Sequence, residues 1–131
     1  MMTTAAPTFK KQERIVSNKL IETLFEKGES QSLATFPIRT VYALQEHSGK
    51  GASVQILISV PKKRFKHAVD RNRVKRQIRE SYRKHKTIVT DSVPEGKQLL
   101  IAFIWLSDRH FGSDEIERRI VSLLRKMADR L

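Results

Sequence analysis

The sequence predicts an α+β fold, a two-layer sandwich in which helices pack on one side of a small sheet. Two stretches of alternating apolar residues predict half-buried strands, and a nearly continuous apolar run of strand length follows later in the chain. Stretches with helical periodicity precede, separate and follow these strands. At 131 residues the chain can build one modest core, which indicates a single domain.

The first helix is predicted over Ser17–Lys27, where apolar residues recur at helical spacing at Leu20, Ile21, Leu24 and Phe25. Ser17 or Asn18 can cap its start, and Gly28 suits the left-handed position after its end. Residues 1–9 are small and polar, so we expect a disordered tail before a single domain at residues 10–131.

Three strands follow in the predicted order. Phe36–Leu44 and Val54–Val60 alternate, and one more strand is possible within residues 28–35. Pro37 favours a strand start or an edge strand, and Pro61 ends the second strand. Lys97–Leu106 is a nearly continuous apolar run, which predicts a strand covered on both faces.

Two long helices complete the pattern. Ala68–Lys86 contains no Gly or Pro, and Ser113 can cap a last helix that runs to the end of the chain. The apolar stripe of that last helix is Ile116, Ile120, Leu123, Leu124, Met127 and Leu131.

The charge is both high and localised. The chain has 26 basic and 14 acidic residues, and residues 62–86 hold twelve of the basic residues but only two acidic ones. Such a patch favours a polyanionic partner, nucleic acid before an anionic membrane. Because the chain has no cysteine, no long apolar run and no secretory signal, we expect a cytoplasmic protein.

The helix Ala68–Lys86 divides by angle into two sectors. At 100° per residue, one stripe collects Val74, Ile78, Ser81, Tyr82 and His85, which we expect to dock on the sheet. A second sector, the basic ridge, collects Asn72, Lys75, Arg76, Arg79 and Arg83. Glu80 is expected near Arg76 and Lys84 instead. A solvated helix mixes charge signs, whereas this ridge segregates them, which favours anion binding and, without a helix-turn-helix layout, RNA over DNA.

No active site or metal site is predicted in the protein. The four histidines are scattered, and His85 follows the apolar stripe. Asp108 and His110 could lie together, but no third ligand is near them in the sequence. The glycines near residue 50 lack the spacing of a phosphate-binding loop.

The segment "SVPKKRFKHAVDRNRVKRQIRESYR" resembles the signature region of the protein component of bacterial ribonuclease P. Its Lys-Lys pair, Ala68, Arg71-Asn72-Arg73 triplet, Lys75-Arg76 and Arg79-Glu80 stand at the family's spacing. "LFEKG", "FPIRTVY" and "LLIAFIW" match further elements, so the resemblance spans roughly residues 14–127. It implies the fold called ribonuclease P protein or ribosomal S5 domain 2-like, with a small mixed sheet and an open cleft.

The resemblance also implies a function. Members bind a catalytic RNA that cleaves precursor tRNA with Mg²⁺ to produce the mature 5′ end, so the protein is a subunit of an endonuclease without being catalytic alone. RNA-binding positions are then Lys62, Lys63, Arg64, Lys66, Arg71, Asn72, Arg73, Lys75, Arg76, Arg79 and Arg83. Candidates for a cleft that holds the single-stranded 5′ leader are Ile21, Phe25, Phe36, Arg39 and Tyr42. For Ile21, Phe25 and Phe36, ordinary core packing is an equal alternative.

Three other functions are compatible with a basic domain. A ribosomal-type structural protein would bind RNA without stimulating cleavage, and a protein-only nuclease would cleave without added RNA. A peripheral membrane binder would need a broad apolar face beside the basic one, which the helix Ala68–Lys86 lacks.

Overall fold

The computed structural model describes residues 9–15, 18–25, 30–47, 49 and 51–131. A single 3-10 turn, Lys11–Glu13, opens the described part of the chain. The remaining elements, in chain order, are α1 (Asn18–Phe25), β1 (Gln31–Thr35), β2 (Ile38–Glu46), β3 (Val54–Ser59), α2 (Ala68–His85), α3 (Thr87–Thr90), β4 (Lys97–Trp105) and α4 (Ser113–Asp129).

The four strands form one mixed sheet in the order β1-β2-β4-β3. β2 pairs antiparallel with both β1 and β4, whereas β3 and β4 are parallel. A parallel pair needs a long crossover, which α2 and α3 supply. The predicted α+β class with a small sheet is confirmed, and the extra strand considered within residues 28–35 is β1.

The main core lies between the sheet and the two long helices. Val74, Ile78 and Tyr82 of α2 are fully buried in it. The sheet contributes the fully buried residues of β4 that point towards the helices, which are Leu99, Ile101, Phe103 and Trp105. Helix α4 contributes its predicted stripe, of which five residues are fully buried, Ile116, Ile120, Leu123, Leu124 and Met127. Leu131, the last residue of the stripe, is partly buried. The prediction that helices pack on one side of the sheet is confirmed for these two.

A smaller core on the opposite face explains why β4 is apolar on both faces from Leu99 to Trp105. There α1 packs with the buried Leu24 against a set of buried residues from alternate positions of β2 and β4, Val41, Ala43, Leu100 and Ala102. Arg39 and Ser32 are exposed on the same face of the sheet. The described residues of α1, Asn18–Phe25, cover only part of this face; the part that carries the exposed Arg39 and Ser32 is called the open surface beside α1.

Several boundaries differ from the predicted ones. β2 starts at Ile38 because Pro37 lies in the turn after β1. Gly112 occupies the N-cap of α4, and the Ser113 hydroxyl accepts a hydrogen bond from Gln77 Nε2 rather than capping the helix. The short helix α3 was not predicted. Residues 1–8 of the predicted tail, the proposed cap Ser17 and the terminal Gly28 lie outside the described residues, whereas Phe9, which was placed in the tail, packs against the main core.

Within the described ranges, no helix has the length and apolar character that crossing a membrane requires.

Candidate nucleic-acid interface

Helix α2 separates its two sides as the angular analysis predicts. Val74, Ile78, Ser81 and Tyr82 are buried, and the Ser81 hydroxyl donates a hydrogen bond of 3.0 Å to the Gln77 carbonyl. His85, at the end of this stripe, is half-buried, and its Nε2 lies 2.7 Å from Glu117 Oε2 on α4. The docking side is therefore buried in the main core, and the opposite side is left to solvent.

The basic ridge forms the other side of α2. Four of its five residues, together with Val69, line one shallow groove of about 530 Å³; the four are Asn72, Lys75, Arg76 and Arg79. No carboxylate lines this groove. Guanidinium groups present a fork of donors that matches pairs of phosphate oxygens, so the groove suits a phosphate backbone.

Arg83, the fifth residue of the ridge, differs from the other four. Its Nε donates to Glu80 Oε2 at 3.0 Å, and a second bond joins Nη2 to Oε1. This bidentate pair holds the pKa of Glu80 below its ordinary value and raises the pKa of Arg83. Glu80 was expected near Arg76 and Lys84; the charge of Lys84 also lowers its pKa, but Glu80 accepts its hydrogen bonds from Arg83, because the i+3 arginine offers the better two-bond geometry.

Arg71 acts on the protein's own backbone. Its Nη1 donates to the carbonyl oxygens of Phe65 at 3.0 Å and Lys66 at 2.9 Å. Both acceptors belong to the basic loop, residues 61–67, which connects β3 to α2. The Arg71 guanidinium therefore positions the basic loop. The sequence predicted only RNA binding for this residue, because it lies among other basic residues.

The basic loop is also fixed to the connection between β4 and α4. The His110 ring stacks on Phe65 with centroids 4.5 Å apart, and its Nε2 lies 3.0 Å from Asp70 Oδ1. Arg64 Nη1 lies 3.4 Å from Asp108 Oδ1. Asp108 and His110, considered together as possible ligands, thus belong to two separate ion pairs.

The remaining basic residues predicted to bind RNA are exposed. Lys62, Lys63 and Lys66 project from the basic loop, and Arg73 projects from α2 outside the ridge. Together with the ridge they give one continuous segment of the chain that presents positive charge.

The N-terminal segment, residues 9–15, brings one more basic residue, Arg14, next to the ridge, and no sequence pattern indicated it. Arg14 Cζ lies 5.5 Å from the centre of the Phe9 ring, and Arg79 Cζ lies 6.0 Å from the same centre. These residues are far apart in sequence, so no local pattern could have joined Arg14 to the ridge.

The structure brings together only part of the predicted leader cleft. Ile21 and Phe25 lie one turn apart on α1, where Ile21 packs on the smaller core and Phe25 is 51% exposed. Arg39 is exposed on the same face of the sheet and donates from Nε to the Ser32 hydroxyl at 3.3 Å. All three residues therefore belong to this face of the sheet, with Arg39 on the open surface beside α1 and Ile21 and Phe25 on α1 itself.

Phe36 and Tyr42 do not join them. The Tyr42 side chain points to the face covered by α4, is 3% exposed, and donates from its hydroxyl to Gln31 Oε1 at 2.9 Å. Phe36 lies in the turn before β2 and contacts the ring of Phe111, with centroids 6.2 Å apart. Their placement in the cleft is corrected: alternation along β2 directs residues 42 and 39 to opposite faces, and the turn carries Phe36 to Phe111.

The described residues contain no group of three or more His, Asp, Glu or Cys side chains that could hold a metal ion.

Comparison with known proteins gives one consistent result. The family model described as "Ribonuclease P" matches residues 9–128. The chain is 40% identical to the ribonuclease P protein component of Porphyromonas gingivalis W83, over 95% of this chain and 91% of that protein. It is 36% identical to the corresponding protein of Chlorobium phaeobacteroides, over 89% of this chain and 85% of that protein.

Solved structures agree on the fold. A mutant of the Staphylococcus aureus RNase P protein superposes with a TM-score of 0.64 at 24% identity, over 91% of this chain and 90% of that one. The RNase P protein from Thermotoga maritima gives a TM-score of 0.57 at 19% identity, over 86% and 94% of the two chains.

Proposed function

This chain belongs to the bacterial ribonuclease P protein family, and we propose that it binds the catalytic RNA of that ribonucleoprotein through the basic ridge and the basic loop. The observation that carries this proposal is the groove along α2, lined by three cationic side chains, Asn72 and Val69 without any carboxylate. RNA phosphates neutralise this charge and release counterions, which makes binding strong and dependent on salt.

We assign the chemistry of cleavage to the RNA subunit and its Mg²⁺ ions. The described part of the chain gathers no carboxylate or imidazole set that fits a metal ion, and the rings of His85 and His110 are each engaged in a separate ion pair. The protein's own contribution is electrostatic: its positive surface offsets the repulsion between catalytic RNA and precursor tRNA, so less Mg²⁺ is needed. Such a subunit acts in the cytoplasm, where tRNA precursors are made.

We further assign the open surface beside α1 to the single-stranded 5′ leader of precursor tRNA. An exposed aromatic ring at Phe25 can stack on a base of any identity, and the Arg39 guanidinium can contact a leader phosphate. Ile21 supplies apolar contact beside them.

A cleavage assay at low Mg²⁺ tests the function. Precursor tRNA is incubated with catalytic RNA, with this protein, or with both, and only the combination is expected to release the 5′ leader efficiently. Cleavage by the protein alone would indicate a nuclease, and binding to ribosomal RNA without any stimulation would indicate a ribosomal-type protein.

The leader assignment has its own pair of variants. Phe25→Ala removes the exposed ring, and we expect the preference for precursor over mature tRNA to fall by about 1–3 kcal/mol, the contribution of one stacked base. Tyr42→Phe, on the opposite face, should leave that preference unchanged. Equal reductions for precursor and mature tRNA with Phe25→Ala would contradict a leader cleft at this surface.

A further inference from the structure

The basic loop, residues 61–67, gathers like charges on a short segment. It contains no acidic residue, and its cationic side chains are Lys62, Lys63, Arg64 and Lys66. The three lysines are exposed, whereas Phe65 between them is buried. Repulsion between the lysines and the conformational entropy of a loop both oppose a single arrangement of this segment, so contacts with the rest of the fold must hold it.

One side chain joins the basic loop to two other segments. His110 lies in the connection between β4 and α4, and its ring stacks on Phe65 with 15° between the planes and 4.5 Å between the centroids. The same imidazole reaches the first turn of α2, where its Nε2 lies 3.0 Å from Asp70 Oδ1. His110 therefore fixes the basic loop relative to α2, the helix that carries the basic ridge.

The interactions of the His110 ring are directed at these two neighbours. The ionised carboxylate of Asp70 can only accept, so Nε2 carries the proton of the bond between them. The other ring nitrogen, Nδ1, is buried and has no hydrogen-bond partner within the described ranges. Packing on Phe65 needs only an apolar ring, whereas the bond to Asp70 needs the imidazole. The polar chemistry of His110 thus serves the position of the loop and not the core.

Two further contacts hold the loop in the same arrangement. Arg71 Nη1 donates to the backbone carbonyls of Phe65 and Lys66, and Arg64 Nη1 lies 3.4 Å from Asp108 Oδ1. Arg64 and Phe65 are thereby turned towards the fold, while the three lysines stay exposed. A loop held in this form before binding loses less conformational entropy when RNA orders it, and this preorganisation raises affinity.

We propose that His110 is a positioning residue for RNA binding: by stacking on Phe65 and donating to Asp70 it holds the basic loop in the form that presents its three lysines to RNA. This role rests on the proposed function, since it takes the catalytic RNA as the partner of the basic loop. His110 acts through the loop and does not itself contact RNA.

The first experiment compares two histidines that form equivalent ion pairs. His110 and His85 are both half-buried, and each joins two segments of the chain through Nε2 and a carboxylate. Filter binding at fixed salt measures the affinity of the full chain for the catalytic RNA. We expect His110→Ala to weaken this affinity about tenfold, because the freed loop must be ordered on binding, and His85→Ala to change it by less than about twofold. Equal affinities for the two variants would overturn the proposal.

The second experiment isolates the bond between His110 and Asp70. Asp70→Asn and Asp70→Ala remove the same negative charge, but only asparagine keeps an oxygen that can accept from Nε2. If Asp70 influenced RNA binding by its charge alone, both variants would bind RNA more tightly than the wild type and to the same extent. We expect Asp70→Ala instead to bind RNA about fivefold more weakly than Asp70→Asn, because it alone releases the ring. Equal affinities for the two Asp70 variants would contradict the positioning role.

A third measurement separates positioning from a general loss of stability. In a chain where Lys62, Lys63 and Lys66 are all replaced by glutamine, the loop has no lysine left to present. His110→Ala should then weaken RNA binding by less than about twofold, whereas in an Arg76→Gln background it should keep its full effect, because Arg76 lies on the ridge and not in the loop. The same reduction in both backgrounds would show that His110 does not act through the loop.

Folding and function are controlled separately. Urea denaturation shows whether each variant is folded under the assay conditions. The Asp70 side chain is 38% exposed, so the two Asp70 variants carry the test if His110→Ala does not fold. If the wild type neither binds the catalytic RNA nor stimulates cleavage, the proposed function fails and the positioning role fails with it. If the wild type binds the catalytic RNA and His110→Ala binds it equally well, only the positioning role fails.

Discussion

Helices α2 and α4 pack side by side on the same face of the sheet, yet their solvent-exposed sides differ in kind. Over its 17 residues α4 carries four acidic and four basic side chains, and Glu115 pairs with both Arg118 and Arg119. Over its 18 residues α2 carries seven basic and two acidic side chains. The acidic residues of α2 lie outside the groove that the ridge lines.

The difference in surface charge shows which feature of α2 serves binding and is not required for folding. Both helices bury an apolar stripe in the same core, so the core does not demand the charge of α2. An exposed helix limits repulsion by pairing opposite charges within one turn, as α4 does. The groove of α2, which gathers like charges without a carboxylate, is unfavourable for the free protein and becomes favourable only when a polyanion neutralises it.

The largest expected effect tests whether the two helices are equivalent in the core. Ile78→Ala on α2 and Ile120→Ala on α4 each remove a fully buried side chain, and each should lower the free energy of unfolding by about 2–5 kcal/mol. Urea denaturation measures the change. Val69→Ala, at a side chain 74% exposed, is the control and should change stability by less than about 0.5 kcal/mol. A decrease below about 1 kcal/mol at either isoleucine would show that the helices do not share one core.

The next effect tests whether they differ at the surface. Arg76→Glu places a carboxylate in the groove of α2, whereas Arg125→Glu places one among the mixed charges of α4. We expect catalytic-RNA affinity to fall by about 1.5–3 kcal/mol for Arg76→Glu, as for removal of a charge-assisted hydrogen bond, and to change little for Arg125→Glu. Filter binding or fluorescence anisotropy at fixed salt gives the two affinities. Similar decreases in affinity for both variants would mean that RNA binding depends only on the net charge of the protein.

The smallest effect concerns the paired charges of α4. Arg118 and then Arg119 hold the pKa of Glu115 below its ordinary value of 4.5. A lowered pKa in the folded state stabilises the protein above the unfolded-state pKa, and this contribution is lost as the pH falls through the folded-state value. Wild type should therefore be slightly more stable than Glu115→Gln at neutral pH, and the difference should vanish in acid. Denaturation series at about pH 7 and below about pH 4 check this; a difference that persists in acid would refute the pairing.

The sequence predicts α2 well because its pattern is local. Residues 74, 78 and 82 recur at helical spacing, so their burial follows from periodicity alone. The angle around the helix axis likewise predicts that Arg76 lies away from the docking stripe. Local pattern does not specify which acceptor an arginine finds, so the backbone contacts of Arg71 and the Glu80 pair of Arg83 were not foreseen.

Contacts between distant segments account for the other differences. Tyr42 and Arg39 were grouped by the family resemblance, but the pleat of β2 sends them to opposite faces of the sheet. Arg14 reaches Arg79 only because the N-terminal segment crosses the edge of β3. Periodicity within one element contains no information about such a crossing.

The central claim is that the ridge of α2 binds catalytic RNA through phosphates. The salt dependence of affinity tests it most directly, because removing one cation that binds a phosphate lowers the slope of log affinity against log salt by about one unit. Arg76→Gln should lower that slope by about one, substitution of Arg73 or Arg79 should do the same, and Arg125→Gln should leave the slope unchanged. A slope that equals the wild-type value in all three α2 variants would contradict the account.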